Sequence, residues 1–139
     1  DDLNDAIQKY YSRDYLDNNY KFCNCDDNNK YKKCYIIKKP NVLFIHLKRF
    51  KINKNTYVKN TTQIDIPEYI SINQYKFNKN EINNEYKLIG YCNHFGNIGF
   101  GHYTSHCLKN NNWYNLDDSN VSKINKNTCD AYILMYIKL

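Results

Sequence analysis

The sequence predicts a mostly antiparallel β fold of the α+β class, and three observations carry that expectation. Tyrosine is abundant, with 15 residues beside six Phe and one Trp, and aromatic and β-branched residues suit the half-buried, pleated surface of a sheet. Leu43, Ile45 and Leu47 alternate with Phe44, His46 and Lys48, which is the two-residue period of a strand. Runs rich in Asn, Lys and Gly separate apolar segments of strand length, as turns separate strands.

Taken in order, the first element is a helix. Leu3, Ala6, Ile7, Tyr10 and Tyr11 recur at three- and four-residue spacing, which predicts a short amphipathic helix with Asp1 or Asp2 as its N-cap. Residues 31–38 read as a strand. Residues 41–50 form the clearest strand, entered just after Pro40, a position proline tolerates. Residues 64–66 read as a short strand ended by Pro67. Residues 86–94 and 100–109 read as two strands joined by a glycine-containing turn over 95–99, and residues 112–117 follow after an Asn-rich turn. The apolar run over 131–139 closes the chain, and its continuity predicts a central strand covered on both faces. The polar stretches 51–60, 78–84 and 110–112 read as loops, with 74–85 the stretch most open to movement or insertion. A boundary between sub-regions is expected near Lys39-Pro40.

A chain of 139 residues suits one domain, and 42% hydrophobic residues exclude a disordered composition. The formal charge is +6, but it comes from scattered lysines and only two arginines, Arg13 and Arg49. No Arg-rich helix or interleaved aromatic–basic stripe appears, which argues against nucleic acid as the partner. No apolar run is long enough to span a bilayer, and the acidic start lacks a signal-peptide core, so no membrane partner is expected. Six cysteines could form three disulfides. Their uneven spacing, in a chain with this much apolar sequence, favours a reducing compartment, cytoplasmic or nuclear.

The chemistry concentrates in Gly99-Phe100-Gly101-His102-Tyr103-Thr104 and Trp113-Tyr114-Asn115-Leu116-Asp117-Asp118. A histidine titrates near working pH and is the usual general base for a thiol or hydroxyl. If the two strands pair as a hairpin, a carboxylate from Asp117 or Asp118 comes near the His102 ring, where it would hold the Nδ1 proton and stabilise the imidazolium. Each motif alone also has a plain reading: a strand-end histidine satisfied by hydrogen bonds, and Asp-Asp-Ser-Asn as turn chemistry. None of the six cysteines is assigned as a nucleophile. Cys92 and Cys107 fall in expected strands, where a small buried hydrophobe is the ordinary role. His46 reads as a structural or surface histidine and His94 as shaping the glycine turn. His106 shares a strand face with His102 and Thr104 and receives no role.

Asn93-His94-Phe95-Gly96, Gly101-His102-Tyr103-Thr104, the segment 113–121 and the closing segment 131–136 together resemble the histidine box of the ubiquitin-specific proteases. Segment 40–50 and segment 64–70 before Tyr75 are similar to further signatures of that family, in the same order. The resemblance implies a papain-like cysteine peptidase that cleaves after the C-terminal glycine of ubiquitin. Residues 1–139 would be the C-terminal portion of its catalytic domain: a sheet-containing half-domain with a short finger-like segment. The Cys box and the oxyanion donors would lie outside this chain. The resemblance implies His102 as general base, Asp117 as the residue that orients it and Asp118 as an assisting polar residue. It also implies Gly96, Gly99, Gly101 and Tyr103 along the channel for the ubiquitin tail, with segment 66–75 bordering a second loop. The expected partner is ubiquitin or a ubiquitinated protein. Cys23 and Cys25 stand where many relatives carry half of a four-cysteine zinc site, but Cys-x-Cys spacing suits tetrahedral zinc poorly. No metal or other cofactor is therefore assigned, although Cys34 could add a ligand. Two other readings remain: a ubiquitin-binding scaffold without a nucleophile, and a zinc-stabilised interaction domain built on Cys23, Cys25 and Cys34.

Overall fold

Asp2 caps the first helix, α1 (Leu3–Tyr10), by accepting a hydrogen bond from the Asp5 amide at 2.9 Å. That side chain satisfies one of the amides a helix start leaves unpaired. The apolar face then seats Leu3 in the core, with Ile7 packed against it. The computed structural model describes residues 2–16, 30–77, 85–126 and 130–139. The Cys23 and Cys25 expectation therefore lies outside the described residues, as do Cys129 and the stretch 78–84.

Eleven strands follow α1 among the described residues: β1 (Asp14–Tyr15), β2 (Tyr31–Lys32), β3 (Val42–His46), β4 (Phe50–Asn53), β5 (Thr56–Lys59), β6 (Tyr69–Ser71), β7 (Glu85–Gly96), β8 (Gly101–Lys109), β9 (Asn112–Asp117), β10 (Asn120–Ile124) and β11 (Ala131–Lys138). Seven form one antiparallel sheet in the order β10-β9-β8-β7-β11-β3, with β6 also pairing β7; β1–β2 and β4–β5 are separate pairs. The expected α+β, mostly antiparallel class is what the chain adopts.

Several elements differ from expectation. The stretch 51–60, expected as a loop, is largely a hairpin: β4 and β5 pair through Lys54-Asn55, both at positive φ (44° and 69°). These are the left-handed positions of a two-residue hairpin turn, which Asn tolerates. The strand expected over 41–50 ends at His46, and Phe50 opens the next one. Within 31–38 only Tyr31–Lys32 is strand, and Ile36 makes an isolated bridge to Lys76. Asp65 likewise only bridges Asp2, and the strand of that region is β6, beyond Pro67. β11 is paired on both edges, by β7 and β3. It is not covered on both faces, because Leu134 and Tyr136 are buried while Ile133 and Met135 are partly open and Ile137 is exposed.

The core gathers Tyr86, Leu88 and Tyr91 of β7, Leu134 and Tyr136 of β11, and Ile66, Ile70 and Ile72. Two tyrosine hydroxyls enter it without cost in unmade hydrogen bonds: Tyr86 donates to the Pro40 carbonyl at 2.7 Å and Tyr136 to that of Pro67 at 2.8 Å. Arg49 is also buried, at 4% exposure. Its guanidinium donates to the carbonyls of Ala131, Asn60 and Thr62, which ties the β4–β5 hairpin to the start of β11.

Candidate active site

β7 and β8 pair from Gly90↔Cys107 to Gly96↔Gly101, and β8 and β9 from Ser105↔Leu116 to Lys109↔Asn112. The β8–β9 turn is Asn110-Asn111, with both residues at positive φ. Alternation along β8 puts His102, Thr104 and His106 on one face and Tyr103, Ser105 and Cys107 on the other. Following the β8–β9 register past its last pair brings Thr104 opposite Asp117, so His102 is diagonal to Asp117 on the same face. Long side chains can bridge that diagonal.

They do so here. His102 Nε2 lies 2.6 Å from Asp117 Oδ1, and the two side chains are 50% and 41% exposed. The expectation that the carboxylate would hold Nδ1 is corrected: Nε2 makes this bond. The register fixes which residues meet, but the ring's rotamer decides which nitrogen faces the acid. Nδ1 is left pointing away from the carboxylate. The hydrogen bond to Asp117, assisted by the charges of Asp117 and Asp118, raises the His102 pKa. Asp118 occupies the two-residue turn into β10 at φ 49°. Ligand atoms of His102, Asp117 and Asp118 lie within 4.8 Å of one another, so a divalent cation could sit among them only in competition with the His102–Asp117 bond.

The loop before His102 depends on two glycines. Gly96 has φ +102°, and a Cβ there would meet the Phe100 carbonyl. A Cβ on Gly101 would overlap the His94 ring and lie 2.9 Å from the Phe95 carbonyl, so the absence of a side chain at Gly101 lets His94 pack beneath the loop. Gly99 differs, since nothing lies within 4 Å of where its Cβ would be. His94 is 3% exposed. Its ring sits near Tyr103, Phe50 and Tyr132, at centroid distances of 4.7, 5.4 and 5.7 Å. Tyr132 is the extra residue where the β11–β7 register shifts between Ala131 and Ile133, the kind of bulge that re-aims a side chain. Burial, with Lys59 nearby, pushes the His94 pKa down.

Segment 66–75, expected to border a second loop, packs its apolar residues inward. Ile66, Ile70 and Ile72 are core residues, and Tyr75 stacks on Tyr11. The neighbour of the loop's strand is the β4–β5 hairpin, whose Lys59 Nζ donates to the His94 carbonyl at 2.5 Å. Tyr103 is 53% exposed on the sheet face opposite His102. Cys92 pairs with Ser105, and Cys107 lies on the same face as Ser105, so strand alternation aims both thiols away from His102. Burial also pushes the Cys92 thiol up, against thiolate formation. Cys34 is half-buried beside Tyr11. Among the described residues, no cysteine is placed to serve His102.

Sequence reasoning gave no role to Asn93 and none to His106, yet both lie on the site's face. His106 Nδ1 is 2.5 Å from the Tyr91 hydroxyl, and its Nε2 is 3.4 Å from Asn93 Nδ2. Asn93 Oδ1 is buried with no hydrogen-bond partner. The Gly96↔Gly101 register was the available signal, because counting back from it puts Asn93 opposite Thr104.

The family model described as ubiquitin carboxyl-terminal hydrolase matches residues 6–136. Ubiquitin carboxyl-terminal hydrolase 9 of Arabidopsis thaliana is 38% identical over 112 residues, covering 76% of this chain and 12% of that protein. Ubiquitin carboxyl-terminal hydrolase 20 of the same plant is 32% identical over 146 residues, covering 99% of this chain and 21% of the relative. A yeast SAGA DUB module superposes with TM-score 0.86 at 29% identity, over 99% of this chain and 33% of that one. A SAGA DUB module bound to monoubiquitin gives TM-score 0.85 at 29% identity, with the same coverage. The chain thus spans about a fifth or less of these curated relatives and a third of the solved chains. The papain-like fold class is shared with these structures, and with a family match over almost its whole length this chain belongs to the ubiquitin carboxyl-terminal hydrolase family.

Proposed function

We propose that this chain supplies the base and the base-orienting carboxylate of a cysteine-type deubiquitinase, as the C-terminal portion of its catalytic domain. The observation that carries this reading is the 2.6 Å contact of His102 Nε2 with Asp117 Oδ1. With Nε2–H donated to the acid, Nδ1 is the nitrogen available to a thiol. His102 would take the thiol proton through Nδ1, and the thiolate would attack the carbonyl at the ubiquitin C-terminus. The imidazolium, stabilised by Asp117, would then return the proton to the leaving lysine amine, and water would hydrolyse the acyl-enzyme. Asp118 adds negative potential to the same ring. The thiol comes from a part of the protein outside these residues, and a free thiolate chemistry suits a cytoplasmic or nuclear setting. Gly96, Gly99, Gly101 and Tyr103 would border the channel for the ubiquitin tail. The open space at Gly99 and the exposed Tyr103 ring support that placement.

The lack of a suitably placed cysteine among the described residues also fits a ubiquitin-binding scaffold without turnover. Hydrolysis of a ubiquitin–aminocoumarin conjugate by the full-length protein, wild type beside His102→Ala, separates the two. The expected result is a loss of at least about a thousandfold in kcat for the variant, with ubiquitin affinity retained. Turnover that survives in His102→Ala overturns the role of this base. Saturable ubiquitin binding with no turnover in either protein favours the scaffold.

A further inference from the structure

Among the described residues, β4 and β5 pair only with each other, and their residues are almost all exposed. Two strands alone are marginal in water, so anchors at the base must fix where this hairpin sits. One anchor is Arg49, on the Ala131 carbonyl. The other is the first pair of the hairpin, Phe50↔Lys59. Both members of that pair close on His94. The Phe50 ring stands edge-on to the imidazole at 5.4 Å, and Lys59 Nζ donates to the His94 carbonyl at 2.5 Å. Lys59 is half-buried at the end of an otherwise exposed strand, and a charged donor makes one of the stronger hydrogen bonds.

A grip on His94 reaches the loop before the base. The ladder between β7 and β11 ends one residue earlier, at Asn93↔Ala131. Two residues later Gly96 turns the chain at φ +102°, and the loop closes with the Asn97 amide on the Phe100 carbonyl at 2.8 Å. The His94 ring lies beneath Gly101, where a Cβ would overlap it, and 4.7 Å from the Tyr103 ring. A displaced His94 would therefore disturb both the floor of the loop and the support of Tyr103. His102 is held differently: it points to the other sheet face and is bonded to Asp117.

We propose that Lys59, with Phe50, is a positioning residue for the ubiquitin tail: the pair clamps His94 by its carbonyl and its ring, and His94 in turn holds Gly101 and Tyr103 at the channel. The inference rests on the deubiquitinase reading, in which those two residues border the channel. The clamp acts on tail binding and leaves the proton chemistry alone, because its grip ends on the sheet face opposite His102. A loop already held in place costs less to order when its ligand arrives. Loss of the clamp therefore appears in KM rather than in kcat.

The test compares the full-length protein as wild type, Lys59→Met and Lys59→Arg. Methionine keeps the unbranched stem and removes the donor, and arginine supplies a donor again. Hydrogen exchange read by mass spectrometry is expected to quicken at residues 95–101 in Lys59→Met, with β11 unchanged, and to return towards wild type in Lys59→Arg. On ubiquitin–aminocoumarin, Lys59→Met is expected to raise KM about tenfold, the size of one charge-assisted hydrogen bond, with kcat within about twofold of wild type. On an aminocoumarin peptide carrying only the C-terminal residues of ubiquitin, kcat/KM should fall by the same factor, because the clamp acts through the channel for the tail. A loss confined to the ubiquitin substrate overturns the proposal, since Lys59 would then touch the body of ubiquitin directly. So does a fall in kcat with KM unchanged, or a Lys59→Arg protein as impaired as Lys59→Met. Unchanged exchange at 95–101 in Lys59→Met overturns the clamp whatever the kinetics show. If wild type cleaves neither substrate, the deubiquitinase reading falls by itself, and the exchange rates still decide whether Lys59 holds the loop.

Discussion

At its Glu85 end, β7 buries Tyr86 and Leu88 against Leu134 and Tyr136, all four at 0% exposure. The polar atoms that enter there are matched, with Tyr86 and Tyr136 each donating to a proline carbonyl. At its Gly96 end the same strand buries Asn93 and His94, and each keeps an enclosed polar atom with no partner. A half-exposed acid–base pair stands beside them. One end is finished as a core, and the other leaves buried polar atoms unmatched beside an open acid–base pair. Changes at the two ends should therefore separate stability from chemistry.

The largest effect belongs to the open end. Asp117→Asn in the full-length protein is expected to lower turnover by about two to four orders of magnitude, with little change in melting temperature because both partners are half-exposed. The pH dependence follows from the raised His102 pKa, whose first cause is the hydrogen bond to Asp117. Removing the charge should move that pKa down towards the ordinary histidine value, as ring-proton NMR across pH would show. The sign for stability is fixed by the same shift. A pKa raised on folding gives stabilisation that is full below the unfolded-state value and fades as pH rises through the folded value. The variant should lose that dependence. An unmoved His102 titration would show that Asp117 does not orient this ring.

The closed end should respond in the opposite way. Leu134→Ala empties a fully buried site between β7 and β3, and such truncations cost about 2–5 kcal/mol. The expected readout is a clear drop in unfolding midpoint by chemical denaturation. In the fraction still folded at low temperature, kcat should be near wild type. A collapse of kcat without a loss of stability would mean that the two ends are coupled through β11.

The sequence made the covered parts of this contrast readable and the uncovered parts opaque. α1, β7 and β11 each bury one face or one stripe, so their apolar spacing carries the signal, while the half-buried β8 and β9 are marked by the Gly and Asn turns that bound them. β4, β5 and β10 do not bury a face. Their residues are almost all exposed, so no alternation marks them, and Lys54-Asn55 reads as part of a polar loop until both residues are seen at positive φ. His102 and Asp117 were legible because a hairpin has few possible registers once its turn is located. The nitrogen that faces the acid was not, since ring rotation leaves no trace in residue spacing. Asn93 and His106 were hidden for a related reason: neither has a chemistry of its own until the register sets them side by side.

The smallest effect tests whether the closed end is complete in its hydrogen bonds as well as in its packing. The Tyr136 hydroxyl donates to the Pro67 carbonyl at 2.8 Å, and burial pushes its pKa well above the ordinary tyrosine value, so it remains a donor far into alkaline pH. Tyr136→Phe keeps the ring and its packing but leaves that carbonyl unpaired, at a cost of about 1–2 kcal/mol. The denaturant midpoint should fall while the slope of the transition stays as in wild type, since the surface exposed on unfolding is nearly the same. Turnover of the folded enzyme should not move, because Pro67 precedes β6 and β6 pairs β7 only at its Glu85 end. A stability equal to wild type would mean that the Pro67 carbonyl finds another donor in solution. The contrast along β7 would then be one of packing alone.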